Sequence, residues 1–390
     1  MFVNEKFRYE MPVKIEFGAG KVDHLANYID EVRGNKVLIV GDQGVLHAGI
    51  IEKVEAPLKK ANIPYLVFND IGTEATIESV DKAYQLAEES HCDVVIGGVG
   101  GGSSLDIAKS VGLLLGNGGD IRNYVGLDKV PTQGNPVIAI PTTAGTGSEI
   151  TRFSVLSDKT KKVKLSVGSM FNCPTIALVD PELTLTLPPH LTATTGMDAL
   201  THALESFVNK ETQPISEALS KEAMKLISRS LRLAVVQGGE NLNARKDMLL
   251  ASTMAAMAFN TTRLGLAHSL AIPLGAKFNI PHGLVNAILL PEVMRFNLIG
   301  NTKKFIEIAE IFGEEIAGLS DREAAERAVN AIRKLNEDIG ISQNLSDFHV
   351  KEEDLEEVAK EAMLSGNTPP INPVKPTVND LINICKSVMV

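Results

Sequence analysis

Basic residues are in deficit. The chain of 390 residues carries 38 Lys and Arg against 48 Asp and Glu, a formal net charge of −10. Nucleic-acid binding needs a basic face, so this balance argues against DNA or RNA as a partner. The one basic cluster runs from Lys159 to Lys164. Cysteine is also scarce: Cys92, Cys173 and Cys385 are widely spaced, odd in number and form no CxxC. That pattern excludes a disulfide framework and points to reduced thiols in a cytoplasmic protein. No uninterrupted apolar run approaches the roughly 20 residues that span a bilayer, so no membrane partner is expected. The polar, mixed-charge start MFVNEKFRYEM shows no secretory signal. No internal repeat or low-complexity tract is present. What remains is ordinary globular material, 44% hydrophobic and 22% charged, long enough for two domains with a buried core.

The chain changes texture near its middle. KVLIV (36–40), PYLVF (64–68), CDVVIGG (92–98), VIAIP (137–141) and IALVDPEL (176–183) read as strands, with KIEFGAG as a further one. Helical periodicity lies between them at 48–61, 77–90 and after Ser103. Strands alternating with helices predict a doubly wound, Rossmann-like parallel sheet. LPPHLTATTG then reads as a Pro/Thr/Gly-rich junction. Beyond it the expected helices are 197–209, 213–236, 243–259, 263–276, 301–317, 320–339, 351–364 and 377–387, with no clear strand. NTPPINPVKP (367–376) reads as a Pro-rich loop. The expected fold is an α/β N-terminal domain, residues 1–185, followed by an all-α C-terminal domain, residues 186–390.

Within that helical half, GMDALTH holds Asp198 and His202 four residues apart. This spacing puts both side chains on one helix face, where a carboxylate and an imidazole can grip one divalent ion. Such a pair is more often a surface hydrogen bond or a capped core histidine. Two later histidines add weight: His268 in the apolar helix LGLAHSLAIPLG, and His282 in IPHG, where Pro and Gly mark a turn. One aspartate and three histidines make a complete set of protein ligands. His24, His47, His91, His190 and His349 have no convergent partners and read as structural or solvent-exposed.

The glycine run at 97–102 leaves a strand and opens a helix. Glycines there let a phosphate approach the backbone, and the helix N-terminus offers it free N–H groups. A tight strand-to-helix turn explains the same residues. Asp42 follows a strand directly and suits ribose hydroxyls, or an Asx-turn in GDQG. PTTAGTGSEIT (141–151) suits a polar cofactor or an exposed loop alike.

GMDALTHALE, GLAHSLAIPLG, IPHGLVNAILLPEVMRFN, GGGSSLDIAK and IPTTAGTGSEIT together resemble the iron-containing (group III) alcohol dehydrogenases, and the likeness runs over nearly the whole chain. The resemblance implies the dehydroquinate synthase-like architecture of that family, with a dinucleotide-binding first domain and a metal-binding second one. It implies Asp198, His202, His268 and His282 as metal ligands and, through the metal, as the catalytic set. It implies Gly101, Gly102 and Ser103 on the dinucleotide pyrophosphate. Asp106 would lie beside the nicotinamide region, and Thr142, Thr143, Thr146 and Lys164 would contact the cofactor. Asp42 would take the adenine-side ribose and favour NAD over NADP. Lys159, Lys161 and Lys162 read instead as a solvated hairpin face. Phe259 borders the expected substrate pocket. Ile272 stands where many members carry a second histidine, which implies a more apolar pocket wall.

The expected activity is hydride transfer between NAD(H) and a small primary alcohol, diol or aldehyde, assisted by Fe2+ or Zn2+, in a homodimer or larger homo-oligomer. A metal-dependent lyase or cyclase of the dehydroquinate-synthase type is the first rival. It would need several Lys and Arg for a sugar phosphate, and the stretch between His268 and His282 offers only Lys277. A non-catalytic nucleotide- or metal-binding protein is the second.

Overall fold

β-Branched runs build the first half. The structure, a computed structural model, describes residues 6–72, 74–161, 163–364 and 370–389. Lys162 and residues 367–369 of the Pro-rich loop therefore lie outside the described residues. Two compact units result: Met11–Leu187, and Pro188–Val390 with the stretch ending at Glu10.

The strands of the first unit are β1 (Lys14–Phe17), β2 (Val37–Gly41), β3 (Tyr65–Phe68), β4 (Val94–Val99), β5 (Gly126–Leu127), β6 (Val137–Ala139), β7 (Phe153–Asp158), β8 (Val163–Gly168) and β9 (Ile176–Val179). Its helices are α1 (Leu25–Glu31), α2 (Gln43–His47), α3 (Ile50–Lys60), α4 (Ile77–Glu89) and α5 (Gly102–Asn117). One sheet runs β1-β9-β6-β4-β2-β3, with every neighbouring pair parallel. Successive strand residues point to opposite faces. Val37 and Ile39 accordingly enter a core with Leu25, Ile29, Val54 and Leu58. Leu38 and Val40 enter another with Val80, Ala83, Ile107 and Val111. Burial on both faces is why these strands read as unbroken apolar runs.

From β2 the chain moves outward to β3, then crosses to the other side of β2 as β4 and continues to β6. The strand order thus reverses between β2 and β4. Open α/β sheets bind ligands outside the carboxyl ends of the strands at such a reversal. A second sheet, β5-β8-β7, was not among the expected strands, although a hairpin was expected at the lysines. Its β7–β8 pair is antiparallel, with Asp158 opposite Val163. Exposed Lys159 and Lys161 lie between the two strands, so the lysine-rich segment is a hairpin whose charges mask the strand period.

The second unit contains α6 (Pro189–Val208), α7 (Pro214–Val236), α8 (Leu242–Thr262), α9 (Leu266–Phe278), α10 (His282–Asn297), α11 (Thr302–Ile311), α12 (Asp321–Asp338), α13 (Leu355–Leu364) and α14 (Val378–Lys386). Among the described residues beyond Leu187 there is no strand. One core joins Leu266, Leu270 and Leu274 of α9 to Val285 and Leu289 of α10, Val358 of α13 and Leu381 of α14.

Several helices depart from expectation, and α10 was not among the expected helices at all. LPPHLTATTG is not a loop, because α6 begins at Pro189. Thr192, Thr194 and Thr195 donate back to the carbonyls of Pro188, His190 and Leu191, so their hydroxyls are satisfied within the helix rather than in a turn. IPHG is not merely a turn: Pro281 is the N-cap of α10, and His282 is its first residue. α11 stops at Ile311 because Gly313 takes a left-handed φ of 75° and Glu314 N–H bonds back to Ala309 O, a glycine-based helix stop. The stretch His282–Gly300 is long and apolar enough to cross a bilayer by composition, yet 67% of its apolar window is buried, as in the core helix of a globular unit.

Candidate active site

In the helical unit, α6 carries Asp198 and His202 one turn apart, α9 carries His268, and α10 opens on His282. Asp198, His268 and His282 each offer a ligand atom, and these atoms all lie within 4.8 Å of one another. His268 Nε2 is 3.6 Å from Asp198 Oδ1, and His282 Nε2 is 3.8 Å from the same oxygen. The His202 ring stacks on His268, with centroids 4.6 Å apart and planes 17° apart. Its centroid is also 4.4 Å from that of Phe259. The four expected ligands are therefore one cluster, bordered by the expected pocket residue Phe259. Ile272, one turn beyond His268 on α9, is 38% exposed.

Asp198 and His268 are buried, whereas the His282 side chain is open to solvent. Burial works against the Asp198 charge, but His202, His268 and His282 outweigh it and hold the carboxyl far below its usual range. Burial likewise opposes a charged His268, yet the carboxylates of Glu205 and Asp198 push its pKa up to about 9. The cluster thus calls for positive charge among its oxygen and nitrogen atoms. His268 Nε2 is buried with no hydrogen-bond partner, a costly state for a polar atom without a cation beside it. An orphaned imidazole nitrogen among a carboxylate and further imidazoles fits Fe2+ or Zn2+.

Sequence reasoning missed the residues that hold this cluster. Glu205, on the face of α6 that carries Asp198 and His202, lies 2.7 Å from His268 Nδ1 through its Oε2. Its spacing of seven from Asp198 was a readable signal. Asn286 Nδ2 donates to Asp198 Oδ1 at 2.8 Å and lies 3.2 Å from His282 Nε2. Its i+4 relation to His282 became visible only once α10 was known to start there.

In the sheet unit, the turns after β2, β4 and β6 converge at the order reversal. Asp42 is the N-cap of α2. Its carboxylate accepts the N–H of Val45 at 3.0 Å and that of Gly101 at 3.4 Å. Thr142 Oγ1 donates to Gly100 O at 2.7 Å. Thr146 Oγ1 accepts the Ser148 N–H at 3.3 Å. Ser103 and Thr143 are half-buried within the same turns. The glycines divide into two kinds. A Cβ on Gly102 would lie 2.8 Å from Thr146 Cγ2, whereas one on Gly101 would meet nothing within 4 Å. Gly101 is the N-cap of α5 and supplies no side-chain cap. An uncapped helix N-terminus with an open cradle at its first residue fits a phosphate.

Asp106 is held within the protein's own hydrogen-bond network. Its oxygens accept Ser148 Oγ–H at 2.6 Å and Val155 N–H at 2.9 Å, and Lys109 Nζ lies 3.2 Å away. Fully buried Lys109 also donates to the carbonyls of Ser148, Thr151 and Phe153. The pair braces the 141–151 loop against α5. Lys164 sits on β8, where it pairs with Glu74 at 3.1 Å, and is not part of the hydrogen-bonded group around Gly101.

Comparison with known proteins agrees with both halves. Residues 12–181 match the family described as iron-containing alcohol dehydrogenase, and residues 192–389 match the C-terminal part of the Fe-containing alcohol dehydrogenase family. The chain is 40% identical to the 1,3-propanediol dehydrogenase of Citrobacter freundii, over 93% of each chain. It is 39% identical to the NAD-dependent methanol dehydrogenase of Bacillus methanolicus, over 97% of this chain and 99% of that one. A crystal structure of 1,3-propanediol oxidoreductase superposes with a TM-score of 0.96 at 38% identity, covering 99% of this chain and 100% of that one. With both family halves matched and the relatives covered almost end to end, the chain belongs to the iron-containing alcohol dehydrogenase family.

Proposed function

We propose that Asp198, His202, His268 and His282 hold one divalent ion, Fe2+ or Zn2+, and that Asp42, Gly101, Gly102, Ser103, Asp106, Thr142, Thr143, Thr146 and Lys164 form the dinucleotide site, Asp106 by bracing it. As a family member the chain is an NAD(H)-linked, metal-dependent alcohol dehydrogenase, moving hydride between a carbinol carbon and the nicotinamide. The observation that carries the ligand reading is the buried, unpartnered Nε2 of His268 beside Asp198. When bound, the ion supplies Lewis acidity toward a substrate oxygen. Asp198 keeps its charge at working pH, so its carboxylate remains an anionic donor toward that ion. Asn286 orients the Asp198 carboxylate, and Phe259 walls the His202 ring. The uncapped start of α5 offers backbone N–H groups to the pyrophosphate, and Asp42 stands ready for the ribose hydroxyls.

The proposed substrates are short primary alcohols, diols and the matching aldehydes. Support comes from the propanediol and methanol relatives and from apolar Phe259 and Ile272 near the histidines. The propanediol and methanol relatives are dehydrogenases, which favours this reading over the rival lyase. The proposed setting is the cytoplasm, supported by three buried cysteines with no disulfide among the described residues. A homodimer or larger homo-oligomer is the family-based part of the proposal, testable by analytical ultracentrifugation. The activity test is NADH oxidation at 340 nm by metal-loaded enzyme with aldehydes of two to eight carbons. Turnover of short aldehydes that disappears with chelator and returns with Fe2+ or Zn2+ is expected. Metal-independent turnover would overturn the reading.

A further inference from the structure

We propose that Glu205 is a positioning residue for the metal centre: its carboxylate fixes the tautomer of His268 and turns the lone pair of Nε2 toward Asp198. This rests on the ligand set proposed above. Glu205 is buried on α6, and donors surround it. Gly265 N–H donates to Oε2 at 2.8 Å, Ala267 N–H donates to Oε1 at 2.7 Å, and His268 Nδ1 is 2.7 Å from Oε2. An ionised carboxylate can only accept. His268 Nδ1 must therefore carry a proton, and a neutral ring then has its lone pair on Nε2.

That lone pair faces Asp198 Oδ1 at 3.6 Å, so two acceptors look at each other in a buried place. A proton on Nε2 would remove the repulsion but leave that N–H without a hydrogen bond, because 3.6 Å is too long for one. A cation between the two atoms does repair it. The same carboxylate also caps α9. Gly265 is the N-cap of that helix and has no side chain to cap with. An anion at a helix N-terminus is favourable. One carboxylate thus sets where α9 begins and how the ring on its first turn is turned. Gly265 permits the approach: a Cβ there would lie 2.9 Å from Glu205 Oε1. Carboxylates behind ligating histidines raise ligand basicity, and their loss weakens metal binding by about 10- to 100-fold.

The test compares four holoenzymes: native, Glu205→Gln, Gly265→Ala and His268→Ala. Metal release to excess dipicolinate is timed, with far-UV circular dichroism as the control for fold. The visible d–d bands of Co2+-substituted protein report the donor strength of the ring, which a purely structural role would not alter. Glu205→Gln should release metal about 10-fold faster or more and shift the Co2+ bands while the helical spectrum persists. Gly265→Ala displaces the carboxylate without changing its chemistry and should act in the same direction, so the test stands even if Glu205→Gln folds poorly. Release within twofold of native in both variants, or unchanged Co2+ bands, overturns the proposal if His268→Ala is metal-poor. Should His268→Ala keep its metal, the ligand set itself fails, a result distinct from failure of the Glu205 role alone.

Discussion

A Cβ placed on Gly283 would stand 2.4 Å from the carbonyl oxygen of Thr194 and 3.3 Å from Asp198 Cβ. α10 and α6 therefore touch backbone to backbone where His282 starts its helix. A methyl group has no flexible neighbour to push aside there. Gly283→Ala should move His282 away from Asp198, lower the metal stoichiometry and cost about 1–3 kcal/mol of stability through overpacking. Elemental analysis and thermal denaturation check this. Full metal occupancy with an unchanged melting temperature would show that the contact can relax.

Gly101 and Gly102 should separate cofactor binding from folding. Gly101 has an ordinary φ of −78° and open space at its Cβ, whereas Gly102 is hemmed in by Thr146. Gly101→Ala should leave thermal stability unchanged or slightly raised, while the KM for NADH rises several-fold because the methyl group occupies the phosphate cradle. Gly102→Ala should lower stability as well. An unaltered KM in Gly101→Ala would mean that no phosphate approaches that residue.

Asp42 should make the enzyme prefer NADH to NADPH, since a carboxylate at the ribose repels a 2′-phosphate. Asp42→Gly should narrow the ratio of kcat/KM values by about tenfold, equal to about 1.4 kcal/mol. Because Asp42 also caps α2, the change should cost a few tenths of a kcal/mol in stability, the usual penalty of a glycine cap (about 0.3 kcal/mol). Equal use of both cofactors by the native enzyme would contradict the assignment.

Glu16 on β1 should give an acid-dependent contribution. Hydrogen bonds from Lys21, then Lys14, lower its pKa to about 2 despite opposing desolvation, with Tyr28 assisting. A depressed carboxyl stabilises the fold fully above its unfolded pKa, near 4.5, and loses that contribution as the pH falls toward 2. Glu16→Gln should therefore destabilise by no more than about 1 kcal/mol at pH 7, with the difference shrinking as the pH falls through about 2 and vanishing below it. Urea titrations at several pH values measure it. A penalty independent of pH would point to packing rather than charge.

Much of this protein was legible in its sequence, for local reasons. The unbroken apolar runs of β2, β4 and β9 declared a parallel sheet because such strands are buried on both faces. The spacing of Asp198 and His202 needed only helical geometry. Other features depended on what lies nearby in space. The threonines of LPPHLTATTG resemble a loop in isolation, yet they continue α6 once each hydroxyl bonds to a carbonyl a turn earlier. The lysine-rich hairpin hid β8 because its charged side chains face solvent and break the apolar pattern. The spacing of seven put Glu205 on the helix face of Asp198, but neither it nor Asn286 revealed its partners: a glutamate in a helix is ordinarily a solvated side chain. Only the packing of α6 against α9 and α10 put Glu205 against the N–H groups of Gly265 and Ala267, and Asn286 against Asp198. Residue types and spacing, being local, determined the ligands available in this chain. The orientation of each ligand was decided by tertiary structure, because an imidazole's tautomer and direction depend on groups 60 or more residues away in the chain.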